Sequence, residues 1–242
     1  MMTGTTYDSK HSYKDFGLIR SARPVISSPT VKRHIIDNPG GNGDIDVSLA
    51  LYGVPMYNNR TITENYIFPY NSKKWDSVIS DINQNLDGIE QFIVIDSDPW
   101  YRWLGTPLLS TPDKSSETHM KLSVVSEVRP FKYERYSSAE DWLWDDLDFE
   151  TGIIRDYRDI YIDGSLDFVI IGTKMPASPT FILSDVEEEI TVNYFDYVLN
   201  HEETVNLSKS EDTSGLIMRE GENILHFSGT GYVTINYRGG IL

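Results

Sequence analysis

The sequence predicts a mainly β protein of two domains, a β-sandwich-like first domain carrying one packed helix and a second β-sandwich or jelly roll. Three observations predict it. Apolar residues come in short runs rich in β-branched and aromatic types, one stretch alone has helical periodicity, and the charge balance breaks near residue 138. At 242 residues the chain suffices for one large all-β domain or two smaller ones. An aromatic content of 12% supplies enough apolar surface for a folded, globular chain.

The helix is expected over Lys73 to Glu90, where Trp75, Val78, Ile79, Ile82 and Leu86 fall on one face. Ser72 is the candidate N-cap, Asp76 complements the positive first turn, and Gly88 is a natural stop. Trp75 is expected in the core. Strands are expected around it at Leu49 to Val54, Asn65 to Tyr70, Gln91 to Asp96 and Lys121 to Val128, the last with Met120, Leu122, Val124 and Val128 on one side. Pro39-Gly-Gly-Asn-Gly-Asp44 lacks the Lys-Ser/Thr pair of a phosphate loop and reads as a tight turn between strands.

After Tyr133 the chain turns polar and acidic, and Glu134 to Asp148 reads as an exposed linker with Trp142 and Trp144 interleaved. Beyond it, short strands are expected at Leu166 to Gly172, Thr180 to Leu183, Glu189 to Phe195, Glu203 to Leu207, Asn223 to Phe227 and Tyr232 to Tyr237. No helix interrupts them, which is the pattern of a sandwich or jelly roll. The expected domains are residues 1–137 and 138–242, with the last strand free to return toward the first domain.

Charge is unevenly spread. Up to Ser138 there are 15 basic against 16 acidic residues, net -1; from Ala139 there are 6 against 21, net -15. An acidic second half repels phosphates and argues against direct nucleic-acid binding there.

Chemistry is sparse. The absence of cysteine removes disulfides, thiolate nucleophiles and cysteine-ligated zinc. His11, His34, His119, His201 and His226 have no metal-site spacing, and no cofactor is expected. Asp145, Asp146 and Asp148 beside Trp142 and Trp144 are the densest acid cluster, but sequence neighbours seldom face each other across a scissile bond. The reading is therefore non-enzymatic, with no catalytic or metal residues. Trp142 and Trp144 are the candidate partner or glycan surface, and burial at the domain junction competes with that role. No apolar run approaches the roughly 18 to 20 residues of a membrane span, and Met1 to Asp15 lacks the features of a secretory signal, so synthesis in a cytoplasm and no membrane insertion are expected.

A resemblance adds to this. Lys10-His-Ser-Tyr-Lys-Asp-Phe-Gly-Leu18 and Ile36-Asp-Asn-Pro-Gly-Gly-Asn-Gly-Asp-Ile-Asp46 resemble the opening strand segment and Pro-Gly turn of siphophage distal tail (Dit) proteins. Tyr57-Asn-Asn-Arg60, the helix, Asp98-Pro-Trp-Tyr101 and Val128-Arg-Pro-Phe-Lys-Tyr133 follow in the family's order, and Gly221 to Gly229 with Tyr232 to Arg238 is similar to its last strands. Ala139 to Glu220 carries no matching motif.

The resemblance implies a structural protein of a virion tail tip, from a phage or prophage of a Gram-positive bacterium, made in the bacterial cytoplasm. It implies a first domain that assembles a ring, usually a homohexamer, between the tail-tube protein and the tail-associated hub protein, with DNA passing through without specific binding. It also implies a galectin-like second domain on the outside, which in the family docks receptor-binding proteins or, in some relatives, binds sugar. The rival reading is a carbohydrate-binding module of the tail that attaches to the host cell wall.

Overall fold

The structure is a computed structural model and describes residues 4–49, 53–69, 74–86, 88–116, 118–140, 155–207, 211–213 and 215–242. The chain divides into two compact units, Met1–Tyr133 and Glu134–Leu242. Strands dominate both, and one α-helix occurs among the described residues.

The first unit contains β1 (Thr5–Tyr7), β2 (Lys10–His11), β3 (Ile19–Arg20), β4 (Val25–Ile26), β5 (Ile35–Ile36), β6 (Ile45–Asp46), β7 (Arg60–Phe68), α1 (Trp75–Asn85), β8 (Gln91–Ile95), β9 (Tyr101–Leu109) and β10 (Met120–Val128). β11 (Lys132–Glu134) spans the boundary. The main sheet runs β2-β1-β8-β9-β10-β7-β3, and β4 also pairs with β7. Alternation explains its two faces: Ile62, Tyr66 and Phe68 of β7 and Met120, Leu122, Val124 and Val128 of β10 point into the core, as the pattern on β10 predicts.

The helix covers that core with Trp75, Ile82 and Leu86 buried, each contributing about 1.5–3 kcal/mol of apolar transfer. It is shorter than its periodicity suggests. Leu86 gives the last ladder bond, to the Ile82 carbonyl at 2.7 Å, but leaves helical geometry at φ -112 and ψ 63, Gly88 sits at φ +83, and the Gln91 side chain donates to the Asn85 carbonyl at 2.6 Å, so the helix ends at Asn85. Ser72 lies outside the described residues. The strand expected at Leu49 to Val54 is absent in its described part: Gly53 at φ +67 donates to the Leu49 carbonyl at 2.8 Å and closes a turn.

The second unit contains β12 (Ile160–Gly172), β13 (Thr180–Asp196), β14 (His201–Leu207), β15 (Glu211–Thr213), β16 (Gly221–Asn236) and β17 (Gly240–Ile241). Its main sheet runs β12-β16-β13-β14, with β15 on β13. The pairs of short strands expected at 180–183 with 189–195, and at 223–227 with 232–237, are each one continuous strand, β13 and β16. The residues read as breaks are bends. Gly164 (φ +74) faces Gly229 (φ +118), and β13 shifts register between Ser184, Glu188 and Thr191 beside them. One sheet thus curls so that its own inner face, with Ile170, Phe181, Ile190, Val192, Phe227 and Ile235, forms the core.

The stretch expected as an exposed linker is, in its described part, attached to the second unit. Glu134 donates its backbone N–H to the Gly239 carbonyl at 3.0 Å and Ser138 to the Tyr237 carbonyl at 3.0 Å, and Ser137 and Ser138 are buried. Arg155 pairs with Glu134 and donates to the Ile171 carbonyl at 3.1 Å. Linker chemistry was inferred from polarity, but these polar groups satisfy the backbone of the neighbouring strands.

Candidate assembly surface

The segment between β3 and β7 is an arm in which almost none of the described residues is buried. It is anchored where it leaves the sheet. Arg20 donates to the Gly4 carbonyl at 2.8 Å and to Glu64 at 2.9 Å, while Tyr7 donates to the other Glu64 oxygen at 2.5 Å and Thr5 to the first. Glu64 and Arg20 are both withdrawn from water, so the pair ties β3 to β7 and to β1. Burial, then the neighbouring Tyr66 and Glu64, push the Tyr7 phenol well above its usual range, and burial followed by Glu64 raises Tyr66.

From there the arm continues the β4–β7 ladder outward. Ser27 donates to the Thr61 carbonyl at 2.9 Å, Asn58 to Thr30 at 2.9 Å, and Lys32 to Met56 at 2.7 Å, with a bridge between Val31 and Tyr57. Beyond it β5 and β6 form a two-stranded sheet joined through the Pro39–Asp44 turn, where a turn is predicted. Ser48 closes its base by accepting from the His34 amide at 2.8 Å and holding Asp46, whose carboxyl its hydroxyl and amide keep below the ordinary value.

This tip is apolar on the outside. Ile35 and Ile36 are each 54% exposed and Ile45 51%, and Val25, Val31 and Met56 are exposed behind them. A lone two-stranded sheet without a core is at best marginally stable, and clustered exposed isoleucines mark an interaction surface. A second apolar feature lies on the outward face of the main sheet. Leu108, Val125, Thr63 and Val25 are directly paired neighbours across β9, β10, β7 and β4, and Leu108, Val125 and Val25 are all exposed. Beside the arm's base a cleft of about 760 Å³ is lined by Arg20, Arg23, Ile26, Asp98, Trp103 and Lys132.

Among the described residues no group of three or more His, Asp or Glu could hold a metal ion. His11 shares a hydrogen bond with Asp96 at 3.2 Å and accepts at Nδ1 from the Tyr13 and Lys14 amides, so its ring is spent on the β2 turn. His226 pairs with Asp167 at 2.5 Å on an exposed face. Trp142 and Trp144, with Asp141, Asp145, Asp146 and Asp148, lie outside the described residues. No described helix is long and apolar enough to cross a membrane.

No family model matches the sequence, and no curated protein matches it. The backbone does find a likeness. Over 100% of both chains it matches the crystal structure of SPP1 Dit (gp 19.1), a hub protein of the adsorption apparatus in phages infecting Gram-positive bacteria, at a TM-score of 0.57 and 11% identity. The fold is Dit-like. At 11% identity the likeness concerns the path of the backbone, and no residue role passes with it. The expected mainly β, Dit-like architecture therefore holds at the level of the fold.

The apolar tip was not singled out in the sequence. Its signal was present: consecutive Ile35 and Ile36 in a strand point to opposite faces, so at least one must face outward in a hairpin flanked by Pro39–Asp44.

Proposed function

We propose that the protein is a non-enzymatic structural component of a phage tail tip, in which the first unit assembles a closed ring and the second unit is a galectin-like domain displayed outside it. The carrying observation is the Dit-like fold over the full chain. The arm supports the assembly part, because its isoleucines gain burial only against another surface. Two unlike apolar features on one unit, arm and sheet band, suit a heterologous contact, which closes into a ring when the rotation permits.

In this reading six copies stack between tail tube and hub and let DNA pass. A first half at net -1 offers little overall counterion-release attraction to a passing genome. Negative-stain imaging of the purified chain, alone and with a tail-tube protein, tests it: six-fold rings with a central hole are expected. Monomers or two-fold dimers under both conditions would reject the assembly.

A further inference from the structure

The turn joining β13 to β14 exposes three consecutive apolar residues, Tyr197 at 71%, Val198 at 44% and Leu199 at 48%. It is not a loose loop. Asp196 Oδ1 accepts from the Val198 amide at 2.9 Å and the Leu199 amide at 3.1 Å, and Asp196 Oδ2 accepts from Arg219 Nε at 3.0 Å and its terminal nitrogen at 2.8 Å. Both partners of this ion pair are buried, and Tyr197 packs edge-on against Phe195 with ring centroids 4.9 Å apart. Asn200 completes the turn at φ +51. Burying an ion pair is costly, and here it fixes the backbone of residues that touch little else. Fixing a contact loop in advance removes the ordering cost of binding.

We propose that this tip docks on the basic, apolar base of the arm, residues 22–33, of a second copy of this chain. The inference rests on the assembly reading above and adds to it a contact between unlike units. Charge and apolarity both select this occupant. From Tyr197 to Glu203 the tip carries Glu202 and Glu203 and no Lys or Arg, Asp196 being already paired with Arg219. Residues 22–33 carry Arg23, Lys32 and Arg33 and no Asp or Glu, with Val25, Ile26 and Val31 exposed among them, whereas the hairpin beyond carries Asp37, Asp44 and Asp46. Among the described residues neither Arg23 nor Lys32 makes an ion pair. A tip of three side chains gives a small contact, so it counts through repetition around an assembly rather than by its own affinity. An anionic lipid surface is the less suited partner, because the second half of the chain carries net -15.

Sedimentation velocity of the full chain, over a range of concentration and salt, tests the contact with Leu199→Asp, the pair Glu202→Lys and Glu203→Lys, the pair Lys32→Glu and Arg33→Glu, and the combined exchange. Leu199→Asp and each charge pair should weaken self-association at least about tenfold at low salt, and the combined exchange should restore it. All substituted side chains are exposed or at the rim, and unchanged circular dichroism melts control for folding. Wild-type assembly that none of the variants alters would overturn this contact and leave the ring standing. Open chains lost on Leu199→Asp would support the contact and reject the closed ring, whereas a wild-type chain monomeric throughout would reject both. Leu199-dependent flotation with phosphatidylglycerol vesicles, without self-association, would assign the tip to lipid instead.

Discussion

Removing the Glu64 carboxylate should be among the most destabilising single changes in the first unit. Glu64 is fully buried and accepts from Thr5, Tyr7 and Arg20. In Glu64→Ala the Arg20 guanidinium, 8% exposed, keeps its position but loses its counter-charge. Leaving one member of a buried pair uncompensated costs about 3–5 kcal/mol. A unit of this size has a total stability of order 10 kcal/mol, so the change consumes a large part of it. Arg20 Nε already has no hydrogen-bond partner, which leaves the guanidinium little to fall back on. The assay is hydrogen exchange of the β7 amides with increasing urea, which reads the first unit separately from the second. Glu64→Ala should lower the midpoint by the equivalent of about 3–5 kcal/mol, while Glu64→Leu with Arg20→Met should recover most of it. A loss below about 1 kcal/mol, or no recovery in the double variant, would refute the view that these charges are desolvated and mutually dependent.

Other outcomes follow from the same geometry. Gly229→Val should destabilise the second unit by about 3 kcal/mol or more in thermal melts, since its φ is +118 and an added Cβ would lie 2.4 Å from the Glu189 carbonyl oxygen. Ile35→Ser with Ile36→Ser should change the monomer's stability by less than about 0.5 kcal/mol yet abolish ring formation in electron micrographs. Alkaline pH should loosen the second unit: burial pushes the Tyr194 phenol up from 10.0 to about 12, so its unfolded form ionises first. The stability it lends is complete below pH 10 and falls by roughly 2–3 kcal/mol as pH rises toward 12, a loss that Tyr194→Phe should remove from urea titrations. Acid should act oppositely on the tip. Burial raises the Asp196 carboxyl but hydrogen bonds from Arg219, Leu199 and Val198 outweigh it and hold it low, so its contribution is present above the usual aspartate pKa and lost as pH falls below it, read as faster exchange of the Val198 and Leu199 amides.

What the sequence made legible was whatever depends on local periodicity. The Trp75 and Ile82 stripe and the alternation on β10 follow from 3.6 and 2.0 residue repeats, and both appear, the helix over fewer residues than expected. The Ser-Gly-Thr-Gly stretch at 228–231 misled because glycine marks a turn and a bent strand with the same letters. Only the partner strand, with Gly164 opposite Gly229, decides between them. The polar run after Tyr133 misled for a related reason: Ser138 donates to the Ile235 carbonyl nearly a hundred residues away, and nothing near it in sequence announces that partner. The surface site was half legible. The Pro39–Asp44 turn stood out, whereas the outward isoleucines beside it read as ordinary strand residues until their lack of a core was visible.

The curl of the second unit bears on how it yields under load. Because β12, β13 and β16 each run through the bend unbroken, the two walls of the core are not separate sheets that can part along a seam. Parting them means straightening all three strands at the bend together, while the ladders between them stay paired.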